Sequence, residues 1–222
     1  MAVERSELIR KIGEIRWVAR QNLEKAQIFL NEIEIKKPEF IRPGQQDPYD
    51  PVVIANNLII PFLVSVIEEY FRALFVFLLS HDRKKLSKFE TILINKKDRL
   101  KILEGTLTRE EAIARKLKFQ KLKEIYKNFK EIDCRLEISK FLSLPPKNGN
   151  RTAHDLFAYL INKRHDLIHG NSIDKSYTQA KAKQDLEEII TGINQVNMEI
   201  LQIYALESSV NPKIPDKSSS RK

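Results

Sequence analysis

The sequence predicts an all-α protein: a bundle of about five to six helices that carries a basic helical insertion. Six glycines and nine prolines are few for 222 residues, and abundant Leu, Ile, Lys and Glu favour helices. Apolar residues recur at helical spacing over several long stretches, and no alternating strand pattern of useful length occurs. The length predicts one domain over residues 1–207, followed by a disordered basic tail over 208–222.

Two long helices are predicted in the first third of the chain. Residues 4–34 place their apolar side chains in one broad stripe, which is typical of an amphipathic helix. Prolines and a Pro-Gly pair then predict a loop over 36–51. The second helix is predicted over 52–79, and we expect Pro61 to kink it or to mark its true first turn. The most apolar run, 58–67, is half the length that a bilayer span requires, so this helix is predicted to be buried.

The middle of the chain is predicted to contain a charged connection over 81–105 and a third helix after it. Thr108 and Glu111 have the spacing of a capping box, which predicts a helix from there to about Phe129. Another short helix is predicted over 136–144, where two prolines stop it, and a polar loop follows over 147–151.

Two further helices are predicted near the C-terminus. Thr152 resembles an N-cap and begins the helix that contains residues 164–170. Gly170 is well placed to end that helix with a left-handed residue. The last helix is predicted over 177–205 from its regularly spaced apolar positions.

The positive charge is concentrated in the predicted insertion, residues 81–130. This stretch holds sixteen Lys/Arg against seven Asp/Glu, which accounts for the entire net charge of +9. A localised basic surface attracts polyanions, of which nucleic acid is the commonest, whereas the alternative is a solvated helix face. The candidate contacts to nucleic acid are Arg83, Lys84, Lys85, Arg115, Lys116, Lys118, Lys121 and Lys123.

A single cysteine, Cys134, indicates a reducing compartment. The first residues include acids and lack the apolar segment of a secretory signal. We therefore expect a cytoplasmic protein without a membrane segment.

The strongest chemical signal is the sequence Arg-His-Asp-Leu-Ile-His-Gly at 164–170. On a helical wheel Arg164 falls near the middle of the apolar face, about 140° from His169. A buried guanidinium requires a partner, so a structural ion pair with Glu68 or Glu69 is one interpretation. His169 lies in the last helical turn, where the helix dipole favours positive charge, and a simple capping role is the alternative for it. We expect the two side chains to meet only if a second chain packs here or the last turn unwinds.

A metal site is a competing hypothesis for the same residues. His165-Asp-Leu-Ile-His169 places two histidines one turn apart and resembles the zinc-protease pattern, with Asp166 in place of the usual Glu. A third ligand would have to come from His81 or His154.

An arginine, a polar residue directly after it, and a histidine five positions on from the arginine resemble the signature of the HEPN superfamily. Arg164, His165 and His169 match these positions, and Gly170 follows. The helical composition and the late position of the motif agree over roughly residues 50–206, and the pattern at 66–71 resembles the RiboL-PSP-HEPN branch. Many members of the superfamily are metal-independent ribonucleases in toxin–antitoxin, defence and RNA-processing systems.

The resemblance implies a homodimer in which two motifs form one composite site, without a cofactor or metal. Arg164 would hold the scissile phosphate of RNA, and His169 would transfer a proton. His165 would contact phosphate or serve as a second acid, with Asp166 and Glu69 in supporting roles. The implied function is an endoribonuclease acting by 2′-hydroxyl transesterification, as a prokaryotic toxin or defence effector with a possible cognate antitoxin. The alternative is a non-catalytic module for RNA or nucleotide binding or for dimerisation.

Overall fold

The computed structural model describes residues 5–32, 51–145, 151–170 and 173–210, and every regular element within these ranges is an α-helix. The helices are α1 (Arg5–Glu32), α2 (Pro51–Ser80), α3 (Arg83–Leu93), α4 (Lys96–Leu103), α5 (Arg109–Lys116), α6 (Leu122–Ile132), α7 (Ile138–Leu142), α8 (Ala153–His169) and α9 (Gln179–Val210). They pack together as one bundle, which confirms the predicted all-α fold. Residues 36–50 of the first predicted loop, residues 147–150 of the second and residues 211–222 of the tail lie outside the described ranges. Pro51, predicted as loop, begins α2, and residues 208–210, predicted as tail, belong to α9.

Helix α2 lies at the centre of the bundle and contacts α1, α5, α8 and α9. By length and composition it is apolar enough to cross a membrane, and more than half of its most apolar window is buried among the other helices. The helix begins at Pro51 and continues through Pro61, which is therefore not in its first turn. The Ser65 hydroxyl donates to the Pro61 carbonyl at 2.8 Å. Burial of its apolar side chains removes them from water and so favours packing of the neighbouring helices around α2.

Two phenylalanines of α2 determine how the helices around the motif are arranged. Phe71 contacts Phe157 of α8 and Phe129 of α6, with ring centroids 6.3 and 5.9 Å apart. Phe75 contacts Phe129 and Phe119, at 6.0 and 5.6 Å. All these pairs are edge-to-face, the arrangement favoured by the ring quadrupoles. The cluster therefore holds α8 and the segment before α6 on the same side of α2.

The basic insertion contains more helices than the sequence predicts. The predicted connection over 81–105 folds into α3 and α4, each begun by a short polar N-cap: the Asp82 carboxylate accepts from the amide of Lys85, and the Asn95 side chain accepts from the amide of Asp98. The predicted capping box of Thr108 and Glu111 is confirmed. The helix predicted from Thr108 to Phe129 is in addition divided into α5 and α6. The described residues therefore form nine helices, whereas five or six were predicted.

The prediction of a single helix from Thr108 to Phe129 is wrong, because the chain leaves helical geometry at Leu117 and becomes helical again at Leu122. Between them Phe119 is fully buried against Phe75. The Asn128 side chain donates to the Lys118 carbonyl at 3.0 Å, which supports the irregular backbone. Burial of one aromatic ring therefore outweighs the local preference for a continuous helix.

Helices α8 and α9 approach each other closely at Gly192. A Cβ at this position would lie 2.7 Å from the Ala153 Cβ and 3.2 Å from the Phe157 ring, so only glycine fits without a shift. Near the same helix start Arg151 forms ion pairs with Asp185 and, at 2.7 Å, with Glu188. These contacts fix the beginning of α8 on α9.

Candidate functional site

The motif residues of α8 line an open cavity of about 520 Å³. Its walls come from α8 and from the short segment that joins α5 to α6. The lining residues are Gln120, Lys121, Leu122, Ala158, Ile161, Asn162, Arg164, His165, Ile168 and His169. Arg164 and His169 thus line one cavity of one chain while α8 stays helical to His169, so the expectation that they could not meet without a second chain or an unwound turn is wrong. The angle of about 140° between Arg164 and His169 on the helical wheel keeps them off one narrow face of α8. The cavity is nevertheless wide enough to be lined by both side chains.

Arg164 forms an ion pair with Glu68 of α2, through one of its terminal nitrogens, Nη1. The side chains of Arg164 and Glu68 are 23% and 11% exposed. The structural interhelix pair considered from the sequence is therefore present, and its carboxylate is Glu68. Glu69, which the sequence suggested as the supporting residue, is exposed and pairs with Arg72 on its own helix. A guanidinium carries five N–H donors, so the bond to Glu68 leaves Arg164 able to hold an anion in the cavity as well.

The two histidines of the motif are exposed and lie side by side. The ring centroids of His165 and His169 are 4.7 Å apart, with 52° between the ring planes. Two imidazoles at this separation can act on neighbouring atoms of one substrate, one accepting and one donating a proton. Asp166 is also exposed, and the role suggested for its side chain stays a prediction.

Helix α8 ends at Gly170 as predicted, but without the predicted left-handed residue. The φ angle of Gly170 is −104°, and its amide donates to the Asp166 carbonyl at 2.8 Å. A Cβ at Gly170 would lie 2.9 Å from that same carbonyl oxygen. The position thus favours glycine because of a close backbone approach and not because of a positive φ.

The segment after the motif is attached to α2 and α8 by residues that the sequence did not single out. The buried Asn57 side chain donates to the Asp174 carbonyl and accepts from the Asp174 amide, both at 2.9 Å. Lys163 of α8 forms an ion pair with the Asp174 carboxylate at 2.9 Å. Hydrogen bonds from Ser176 and the contact with Lys163 hold the pKa of Asp174 well below its usual range. An asparagine directly before the most apolar run of α2 was the available signal for this attachment.

The eight basic residues proposed for nucleic-acid binding lie in several elements of the fold. Arg83, Lys84 and Lys85 lie in the first turn of α3, and Lys118, Lys121 and Lys123 lie at or near the start of α6. Lys121 lines the motif cavity. Arg115 lines a separate groove formed with α1 and α2, and Lys116 pairs with Asp98 at 3.1 Å.

A third ligand for the hypothetical zinc site is absent from the part of the chain that the structure describes. Within those residues no group of three or more His, Cys, Asp or Glu side chains is arranged to hold a metal ion. His81 lies at the end of α2, with Nδ1 2.8 Å from the Phe77 carbonyl oxygen. His154 stacks on Tyr126 in the first turn of α8, far along the helix from the motif.

Comparison of the chain with protein-family models, with curated proteins and with solved structures gave no match. Membership of the HEPN superfamily therefore stays a prediction that depends on Arg164, His165 and His169.

Proposed function

We propose that this protein is a metal-independent endoribonuclease that cleaves RNA by attack of a ribose 2′-hydroxyl on the adjacent phosphate. The observation that supports this most directly is the convergence of Arg164, His165 and His169 on one open cavity. A cavity of about 520 Å³ falls within the range of small-molecule sites and has room for a nucleotide. One cation and two titratable bases are the groups that this reaction uses.

In the proposed reaction one imidazole, that of His169 or of its copy on a second chain, removes the 2′-hydroxyl proton. The 2′-oxygen then bonds to phosphorus while the bond from phosphorus to the 5′-oxygen breaks. His165, 4.7 Å from His169 between ring centroids, donates the proton that the leaving 5′-oxygen takes up. The products are a 2′,3′-cyclic phosphate and a free 5′-hydroxyl, and no metal or cofactor takes part.

Arg164 holds the phosphate and stabilises the additional negative charge of the five-coordinate transition state. The ion pair with Glu68 holds the guanidinium in place at the cavity wall, so little ordering is required when RNA binds. Lys121, in the opposing segment, adds a second positive charge that contacts a neighbouring phosphate.

The active form is proposed to be a homodimer with a composite site. Ile168 lies in the same helical turn as the two histidines, lines the cavity and is 53% exposed. An exposed apolar side chain between catalytic groups suits a two-fold contact in which α8 of each chain packs near its copy. The basic residues at 83–85 and Lys118, Lys121 and Lys123 would then contact the RNA backbone through its phosphates. The biological role proposed is that of a toxin or defence effector, restrained by a cognate antitoxin protein, in the cytoplasm.

A second candidate is a non-catalytic module that binds RNA or nucleotides. The specific observation in its favour is the Arg164–Glu68 pair, since a carboxylate already offsets part of the charge that catalysis requires. This module would bind RNA through the same cavity without cleaving it.

The decisive experiment is a cleavage assay on total RNA with EDTA present, comparing wild type with His169→Ala. His154→Ala is the matched control, because it removes a histidine from the same helix outside the cavity. Cleavage by wild type and His154→Ala, but not by His169→Ala, is the expected result. RNA binding without cleavage by any of the three folded proteins would support the non-catalytic module instead. For a toxin, we expect poor recovery of wild type on expression and normal recovery of His169→Ala.

A further inference from the structure

The cavity contains two carboxamide side chains that the proposed chemistry does not use, Gln120 and Asn162. Both are exposed and line the same cavity as Arg164 and the histidines. Within the described residues neither carboxamide is engaged in a hydrogen bond. A carboxamide that lines a cavity and has no protein partner within the described residues is available to a ligand.

The two residues come from different parts of the chain. Asn162 lies on α8, one turn before His165 and on the same face. Gln120 lies in the break between α5 and α6, where burial of Phe119 on one side and the N-terminus of α6 on the other determine its position. Because the break is supported by the bond from Asn128 to the Lys118 carbonyl, Gln120 is held on folded backbone.

The rest of the cavity suits the flat face of a base. Leu122, Ala158 and Ile161 supply apolar surface beside the two carboxamides. A carboxamide presents a donor and an acceptor side by side and so matches the edge of a nucleobase, whereas a contact from lysine or arginine to a phosphate carries no sequence information. A nucleotide requires apolar surface for the face of its base, a donor and an acceptor for the edge of the base, and a cation for its phosphate. The cavity contains residues of all three kinds.

We propose that Gln120 and Asn162 are specificity-determining residues, which bind the edge of an unpaired base next to the phosphate held by Arg164. This inference rests on the proposed ribonuclease and names its substrate class as single-stranded RNA, because a base within a duplex cannot turn its edge and face into the cavity. The same chemistry is shared by a free nucleotide, which is the other possible source of the base.

The test uses the full chain and short 2′-O-methyl oligonucleotides of A, C or U, which lack the free 2′-hydroxyl and cannot be cut. Binding is measured by fluorescence anisotropy, and the readout is the ratio between the tightest and the weakest dissociation constant. In wild type we expect a ratio of about tenfold or more, the discrimination that one good carboxamide–base contact provides. In Gln120→Ala and Asn162→Ala we expect the ratio to fall severalfold. Gln184→Ala, which removes an exposed carboxamide from α9, is the matched control and should keep the wild-type ratio.

Equal affinity of wild type for the three oligonucleotides, or an unchanged ratio in both variants, would overturn the inference. A uniform loss of affinity for all three oligonucleotides in the variants would also overturn it, since that indicates a phosphate contact.

Competition by AMP, CMP and UMP in the same order of preference would assign the pocket to free nucleotides, and the absence of competition would assign it to an RNA strand. A protein that shows base preference here yet cleaves no RNA would refute the ribonuclease and leave base recognition in place. Cleavage of RNA at the same bases by wild type and both variants would support the ribonuclease and refute base recognition by Gln120 and Asn162.

Discussion

Replacement of Arg164 is predicted to separate its structural role from its catalytic role. The side chains of Arg164 and Glu68 are mostly buried, at 23% and 11% exposure. Removing one partner of a fully buried pair costs about 3–5 kcal/mol, whereas an exposed pair contributes at most ~1 kcal/mol. For this partly exposed pair we expect Arg164→Ala to lower the free energy of unfolding by about 2 kcal/mol. At 2–4 °C per kcal/mol for a chain of this size, the melting temperature should fall by roughly 4–8 °C.

Two companion variants complete the experiment. Arg164→Lys keeps a positive charge near Glu68, so the loss of stability should be about 1 kcal/mol or less, while cleavage should fall about 100-fold because the planar guanidinium is lost. In the double variant Arg164→Ala, Glu68→Gln, no buried carboxylate is left unpaired, so part of the stability should return while cleavage stays absent. The assays are thermal unfolding and RNA cleavage at a temperature where every variant is folded. Full cleavage by Arg164→Ala would refute the phosphate-holding role. An unchanged melting temperature would refute the structural role of the pair.

Three further outcomes are expected. Lys121→Ala should weaken RNA binding and reduce the salt dependence of the binding constant by the equivalent of about one phosphate contact. Lys118→Ala, which changes a lysine outside the cavity, should weaken binding less. Both effects are measured by titration of RNA at several salt concentrations. Cleavage by wild type should be unaffected by EDTA and absent on DNA of the same sequence; loss of activity in EDTA would revive the metal hypothesis. Asp174→Asn should be less stable than wild type at neutral pH. Because folding depresses the pKa of Asp174, its contribution is complete above the unfolded value of about 3.9 and is lost as the pH falls further, so urea titrations should show the two proteins converging in acid. A difference that stays constant at low pH would contradict the last prediction.

The helical periodicity of the chain was sufficient to predict most of the bundle. Helices α1, α2, α7, α8 and α9 were expected near their observed bounds, because each has a long apolar stripe or clear polar and proline boundaries. The capping box at Thr108 and the N-cap at Thr152 were local signals, and both are confirmed. Gly170 was expected to end α8, but its conformation could not be predicted, since the constraint is a contact with the Asp166 carbonyl.

The break between α5 and α6 could not be predicted from local sequence. Nothing near Phe119 signals the end of a helix, and the chain turns there because the ring packs against Phe75, more than forty residues earlier. The same contact places Lys121 and Gln120 in the motif cavity. One of the two walls of the cavity therefore depends on a contact that is distant in sequence.

By itself the sequence determined the helical class, the position of the motif at the end of α8 and the presence of a basic region before it. These properties depend on residue type and on spacing along one helix, which are local quantities. The tertiary structure decided that Glu68 and not Glu69 pairs with Arg164, that Arg164 and His169 line one cavity, and that Lys121 and Arg115 line two different ones. Each of these depends on how distant helices pack against one another. That packing follows from burial of the large aromatic rings of α2, whose partners are far away in sequence.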